Sequence, residues 1–116
     1  MAKVLVLPGG RVGVVPKASR MNKTEAAYAD TLEAMRLNGG IKAWKFEAVK
    51  LRLATLTWYT PDFLVVMPDG AMEFHEVKGF WRDDARVKIK VAAEQYPMFR
   101  FLAVRRQSGC WVPTLF

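Results

Sequence analysis

The chain has 116 residues, enough for one domain with a real core and too few for two. Apolar residues make up 52% and charged residues 25%, a globular balance with no disorder signature; no apolar run is long enough to span a bilayer, so a soluble protein is expected. Lysine and arginine total 18 against 11 aspartate and glutamate, a net charge of +7 with a pI near 9.9, which favours a polyanionic partner such as nucleic acid or an anionic membrane surface; of the two, nucleic acid is expected, with no membrane partner.

Near the N-terminus, Val4-Leu5-Val6-Leu7 is too short for the apolar region of a signal peptide. It reads as a strand over residues 3–7, paired with a second over 11–15 around Pro8-Gly9-Gly10, forming an N-terminal hairpin or arm before a basic connector over 16–20. Residues 22–38 are helical in pattern: Asn22 or Thr24 can cap, Glu25 lies in the first turn, and Gly39-Gly40 ends the run. Residues 44–53 then alternate, with Val49, Leu51 and Leu53 on one face and Lys50 and Arg52 on the other, predicting a half-buried strand.

Residues 54–57 turn the chain back into a strand over 58–67, and Pro68-Asp69-Gly70 turns it again into a third over 71–78, an antiparallel meander. After Gly79, Asp83 or Asp84 can cap a second helix whose stripe is Ala85, Ile89, Ala92 and Tyr96, stopped by Pro97. A strand over 99–105 should then lie parallel to the third through a right-handed crossover. Ser108-Gly109 leads into a short last strand at 110–112. The fold class is α/β, one domain with a mixed sheet and helices on its faces. Cys110 is the only cysteine, which excludes an intrachain disulfide and a cysteine-built zinc site and suits a reducing cytoplasm.

Alternation on the third strand aims Glu76 and Lys78 at one face. If the turn pivots on Asp69, Asp62 lies opposite Glu76, because each is seven residues from the pivot. Two carboxylates so placed can share one Mg²⁺, and a neighbouring lysine can orient or deprotonate a water, or counter charge developing on a phosphate. The same residues also read as a same-face salt pair beside a strand start. Glu25 falls on the helical stripe of Tyr28, Ala29 and Leu32, where a carboxylate needs a cation or donor; it also reads as a first-turn acid meeting the helix dipole.

In order and context, the helix bearing Glu25, then Pro61-Asp62, Glu76-Val77-Lys78, a helix and a strand, the chain resembles the PD-(D/E)XK nucleases over about residues 22–105. The segments Asn22-Lys23-Thr24-Glu25 and His75-Glu76-Val77-Lys78-Gly79-Phe80-Trp81 are similar to those of small phage-encoded members, including endonucleases similar to Holliday-junction resolvases. The resemblance implies a restriction-endonuclease-like αβββαβ core and a phage-infected or bacterial host cell. It implies Glu25, Asp62 and Glu76 as metal-linked carboxylates, the Val77 carbonyl as an extra ligand, Lys78 as catalytic lysine, and Mg²⁺, replaceable by Mn²⁺, as cofactor.

On the second helix Lys88 and Gln95 lie off the apolar stripe, able to reach the site or the scissile strand, or else part of a solvated face. Arg82, Arg86 and Lys90, with Lys42, Lys45, Lys50 and Arg52, are candidate phosphate contacts or plain surface charges. His75 points away from Glu76 and reads as a packed histidine or one that supports the site without entering it; Trp81 reads as a lid on the core or a wedge at a nucleic-acid branch. The expected function is a Mg²⁺-dependent endodeoxyribonuclease, structure-selective on branched DNA and acting as a homodimer. The rivals are a non-catalytic basic nucleic-acid-binding module and a nuclease subunit active only in a larger complex.

Overall fold

The computed structural model describes residues 4–6, 12–14 and 20–116. In chain order the elements are β1 (Val4–Val6), β2 (Val12–Val14), α1 (Lys23–Leu37), β3 (Ala43–Phe46), β4 (Leu51–Ala54), β5 (Thr57–Tyr59), β6 (Phe63–Val66), β7 (Met72–Val77), α2 (Asp83–Gln95), β8 (Arg100–Gln107) and β9 (Cys110–Leu115). β1 and β2 pair antiparallel, Val4 opposite Val14. The expected Pro8-Gly9-Gly10 turn and most of the basic connector lie outside the described residues.

Helix α1 starts on a reciprocal capping box. The Asn22 side chain accepts the Glu25 N–H at 2.8 Å, and Glu25 Oε1 accepts the Asn22 N–H at 2.9 Å. Its buried stripe is Tyr28, Ala29 and Leu32, and Glu33 fastens its solvent side to β3 by accepting the Trp44 indole N–H at 3.0 Å. Gly39, at φ +80°, takes the left-handed conformation that ends a helix most cheaply.

The main sheet is mixed, in the order β3-β6-β7-β8-β9. β6 is antiparallel to β3 and to β7, β7 is parallel to β8 as the connecting helix requires, and β9 returns antiparallel to β8. The β8–β9 turn is Ser108-Gly109, both at positive φ, the two-residue geometry whose twist suits a hairpin.

Alternation divides the core between the two faces. Phe63, Val65, Val77 and Val104 pack with Tyr28, Ala29 and Leu32 of α1; Phe74 and Phe101 pack with Ile89 and Ala92 of α2. One helix therefore covers each face. Among the described residues no helix is long and apolar enough to cross a membrane.

Both long strands expected before the Pro68-Asp69-Gly70 turn are broken. The 44–53 run divides into β3 and β4 at Glu47, whose φ is +47°, and the 58–67 run divides into β5 and β6 around Pro61, which has no N–H to donate. The result is one bent ribbon. Its β3–β6 half lies in the main sheet, while its β4–β5 half forms a separate two-stranded sheet that contributes Leu51, Leu53 and Tyr59 to the α2 core.

Two smaller expectations also change. Arg82, not Asp83 or Asp84, is the N-cap of α2; the two aspartates sit in the first turn, where they meet the positive end of the helix dipole. The last strand runs on to Leu115 through Pro113, which is tolerated because β9 is an edge.

Candidate active site

The β6–β7 ladder pairs Phe63 with His75 and Val66 with Met72, so its continuation puts Asp62 opposite Glu76, as the turn arithmetic requires. Hydrogen bonds mark that step. Asp62 Oδ2 accepts the Val77 N–H at 2.8 Å, and the Asp62 N–H donates to Glu76 Oε1 at 3.3 Å. Lys78, one residue past β7, places Nζ 3.1 Å from Glu76 Oε2 and keeps the ladder going by donating its N–H to the Val104 carbonyl at 3.0 Å.

Glu76 is buried, as is Tyr59, whose phenol donates to Glu76 Oε1 at 3.0 Å. Burial first, and then the Glu76 charge, push that phenol far above its ordinary pKa, so Tyr59 is a fixed donor. Tyr59 is not marked by the sequence pattern, because alternation cannot be counted back from Asp62 through Pro61. Its one available signal was an apolar position continuing Leu51 and Leu53 across a tight turn.

The carboxylates crowd each other. Burial, then the Glu76 charge and more weakly Glu25, push the Asp62 carboxyl up to about 7, against the pull of the Val77 N–H and of Lys78. Glu25 is thus near enough to Asp62 to repel it. It belongs to the helix covering the other face, though, and its Oε1 is engaged in the capping box. Among the described residues no group of three or more His, Cys, Asp or Glu side chains is placed to hold a metal ion. What the structure brings together is a two-carboxylate site with a lysine, Glu25 standing behind it.

On the opposite face a second polar group is closed upon itself. His75 Nε2 lies 2.9 Å from Glu73 Oε1, Nδ1 lies 2.6 Å from the Tyr28 hydroxyl, and Glu73 Oε2 is 3.5 Å from Arg100 Nη1. Burial holds the His75 pKa below its usual value, against the pull of Glu73, and holds that of Tyr28 above its own. A neutral ring donating from Nε2 and accepting at Nδ1 satisfies every partner. His75 is the packed histidine the alternation indicated.

No protein-family model matches the chain, and no curated protein matches it.

The basic residues separate by position. Lys88 and Lys90 are exposed on α2, and Arg82 and Arg86 are exposed on its first turns, beside the site strand. Trp81 closes the α2 core edge-on against Phe116 at 5.6 Å between centroids, with Lys78 Nζ 6.0 Å and the Arg86 guanidinium 5.9 Å from its ring. It is a lid. Gln95 is engaged elsewhere: it donates to the Leu53 carbonyl at 2.9 Å from the last turn of α2, which precedes β8 at the end where Arg100 pairs with Glu73, away from Glu76.

Proposed function

We propose that this protein is a divalent-metal-dependent endodeoxyribonuclease of the PD-(D/E)XK type, hydrolysing phosphodiester bonds in branched or otherwise structured DNA and working as a homodimer. One observation carries the reading: Asp62 and Glu76 are held side by side, largely out of water, with Lys78 3.1 Å from Glu76. Two carboxylates that repel each other where burial disfavours ionisation are costly for a merely structural pair and suited to a cation.

The donor set fits Mg²⁺ or Mn²⁺, since hard cations take carboxylate oxygens and Mg²⁺ commonly needs only one or two of them besides water. Asp62 and Glu76 would hold it, with the Val77 carbonyl as a further oxygen; when bound it supplies polarisation of a phosphate oxygen and a more acidic water. The chain does the rest. Tyr59 and the Asp62 N–H fix the Glu76 carboxylate, and Glu76 in turn fixes the Lys78 ammonium. Lys78 then faces the phosphate, where it orients the attacking water and offsets negative charge as the water oxygen bonds to phosphorus and the bond to the departing 3′-oxygen breaks. Glu25 raises the negative potential around Asp62.

Supercoiled plasmid and a synthetic four-way junction, incubated with Mg²⁺ or Mn²⁺ beside Lys78→Ala and Asp62→Asn variants, test this. Wild type should cut the junction, leaving 5′-phosphates, and both variants should lose at least about a hundredfold, the scale of one electrostatic group acting in the transition state. Binding without cleavage by all three proteins would instead identify a non-catalytic module. The dimer is checked by gel filtration: a monomer with full junction activity removes it.

A further inference from the structure

The β4–β5 hairpin carries features that the core does not use. Its tip residue Leu56 is 91% exposed and sits at φ +56°, a conformation that suits glycine or asparagine and that a leucine adopts at a cost. Trp58, 42% exposed, lies under Lys50 with the ammonium 5.6 Å from its ring centroid. From residue 48 to residue 60 the chain has two cations, Lys50 and Arg52, and no acid.

The base of the hairpin is anchored while its tip is free of the core. Leu51, Leu53 and Tyr59 are buried, Gln95 donates to the Leu53 carbonyl at 2.9 Å, and the Tyr96 hydroxyl donates to the Arg52 carbonyl at 2.7 Å. Tyr59 also ties the hairpin to Glu76. Tyr59 lies three residue steps from Leu56 along the hairpin, about 10 Å, or roughly three base steps along a strand.

We propose that the β4–β5 hairpin is a wedge for branched DNA: Leu56 enters between unstacked bases at the branch, Trp58 stacks on a neighbouring base, and Lys50 and Arg52 hold the flanking phosphates. This rests on the nuclease reading for the position of the scissile phosphate beside Glu76 and Lys78. The charge selects the occupant. An apolar tip on a hairpin that carries two cations, a tryptophan and no acid matches a polyanion that also offers apolar faces, and DNA with open base steps is such a molecule. Apolar wedges of this kind widen a base step that is already weakened, which favours branches over uniform duplex.

The test separates binding from cleavage. A fluorescent four-way junction and a matched linear duplex are titrated by anisotropy in EDTA, and a second junction carries 2-aminopurine at the branch. Leu56→Asn and Leu56→Gly both accept the left-handed conformation, so their melting temperatures should equal or exceed that of wild type. Each should weaken junction binding roughly tenfold, within the range of a single base-stacking interaction, change duplex affinity less than about twofold, and abolish the 2-aminopurine response. Trp58→Ala should weaken junction binding similarly.

Equal junction affinity and an unchanged 2-aminopurine signal in Leu56→Asn overturn the wedge, as does a wild type that binds neither DNA in EDTA. If wild type cuts with Mg²⁺ and Leu56→Asn binds as it does, the wedge fails and the nuclease stands. If the branch response is present but no metal ever yields cleavage, the nuclease fails and the wedge stands.

Discussion

The Tyr59 phenol donates to Glu76 Oε1 at 3.0 Å, joining a hairpin outside the main sheet to the carboxylate at its centre. With the Asp62 N–H at 3.3 Å and Lys78 at 3.1 Å, it gives Glu76 three donors from three segments of chain. Glu76 therefore cannot rotate without breaking a bond to one of them.

Tyr59→Phe removes a buried donor to a carboxylate, which costs about 1.5–3 kcal/mol. The melting temperature should fall by at least several degrees, and kcat on a junction should fall about tenfold with KM little changed, because Tyr59 is buried and acts by positioning Glu76. Steady-state kinetics beside a thermal melt decide it; a loss confined to KM would assign Tyr59 to binding instead.

Asp62 gives the metal-free protein an unusual pH dependence. Its pKa rises from an ordinary carboxylate value to about 7 on folding, so between about pH 4 and 7 the folded state holds more proton than the unfolded chain. Stability from this group is complete below that window and is lost as pH rises through it. Melting in EDTA should show a fall across the window that flattens in Asp62→Asn, and Mg²⁺ at pH 8 should restore part of the lost stability to wild type only.

His75 acts in the opposite sense. A folded pKa below the ordinary histidine value means stability present above about pH 6.5 and eroded as pH falls and the ring must charge. The Asp62→Asn background exposes this trend alone. Because the chain has one histidine, a long-range ¹⁵N–¹H spectrum reads its tautomer directly; protonated Nε2 and bare Nδ1 are expected at pH 7. The reverse assignment would break the proposed link to Glu73.

Lys88 and Lys90 are exposed and suited to screening phosphates. Replacing both with glutamine should lower the slope of log affinity against log salt by about 0.9 for each phosphate that is no longer neutralised, without altering the junction preference. An unchanged slope would leave them as plain surface charges.

Much of this arrangement was legible in the amino-acid order. The Pro68-Asp69-Gly70 turn sets a register, and alternation then carries Asp62 to Glu76 and puts His75 on the other face. The ribbon's break was not legible, because Val49, Leu51 and Leu53 alternate as though no bend preceded them, and no residue type announces the positive φ of Glu47. The capping role of Glu25 was written in the Asn22–Glu25 spacing but competed with its place on the apolar stripe. The partner of Gln95 was not legible, because helical spacing says which way a side chain leaves the helix and not which strand waits there.

The bend at Glu47 and Pro61 lets one ribbon serve both sides of the sheet: Phe63 and Val65 belong to the α1 core, Leu51, Leu53 and Tyr59 to the α2 core. Neither layer can open by itself without pulling on a strand shared with the other. Amide exchange should thus show the β4–β5 and β6–β7 amides released in a single cooperative event, and a chain that has lost either layer should lose Glu76's carboxylate geometry in the same step.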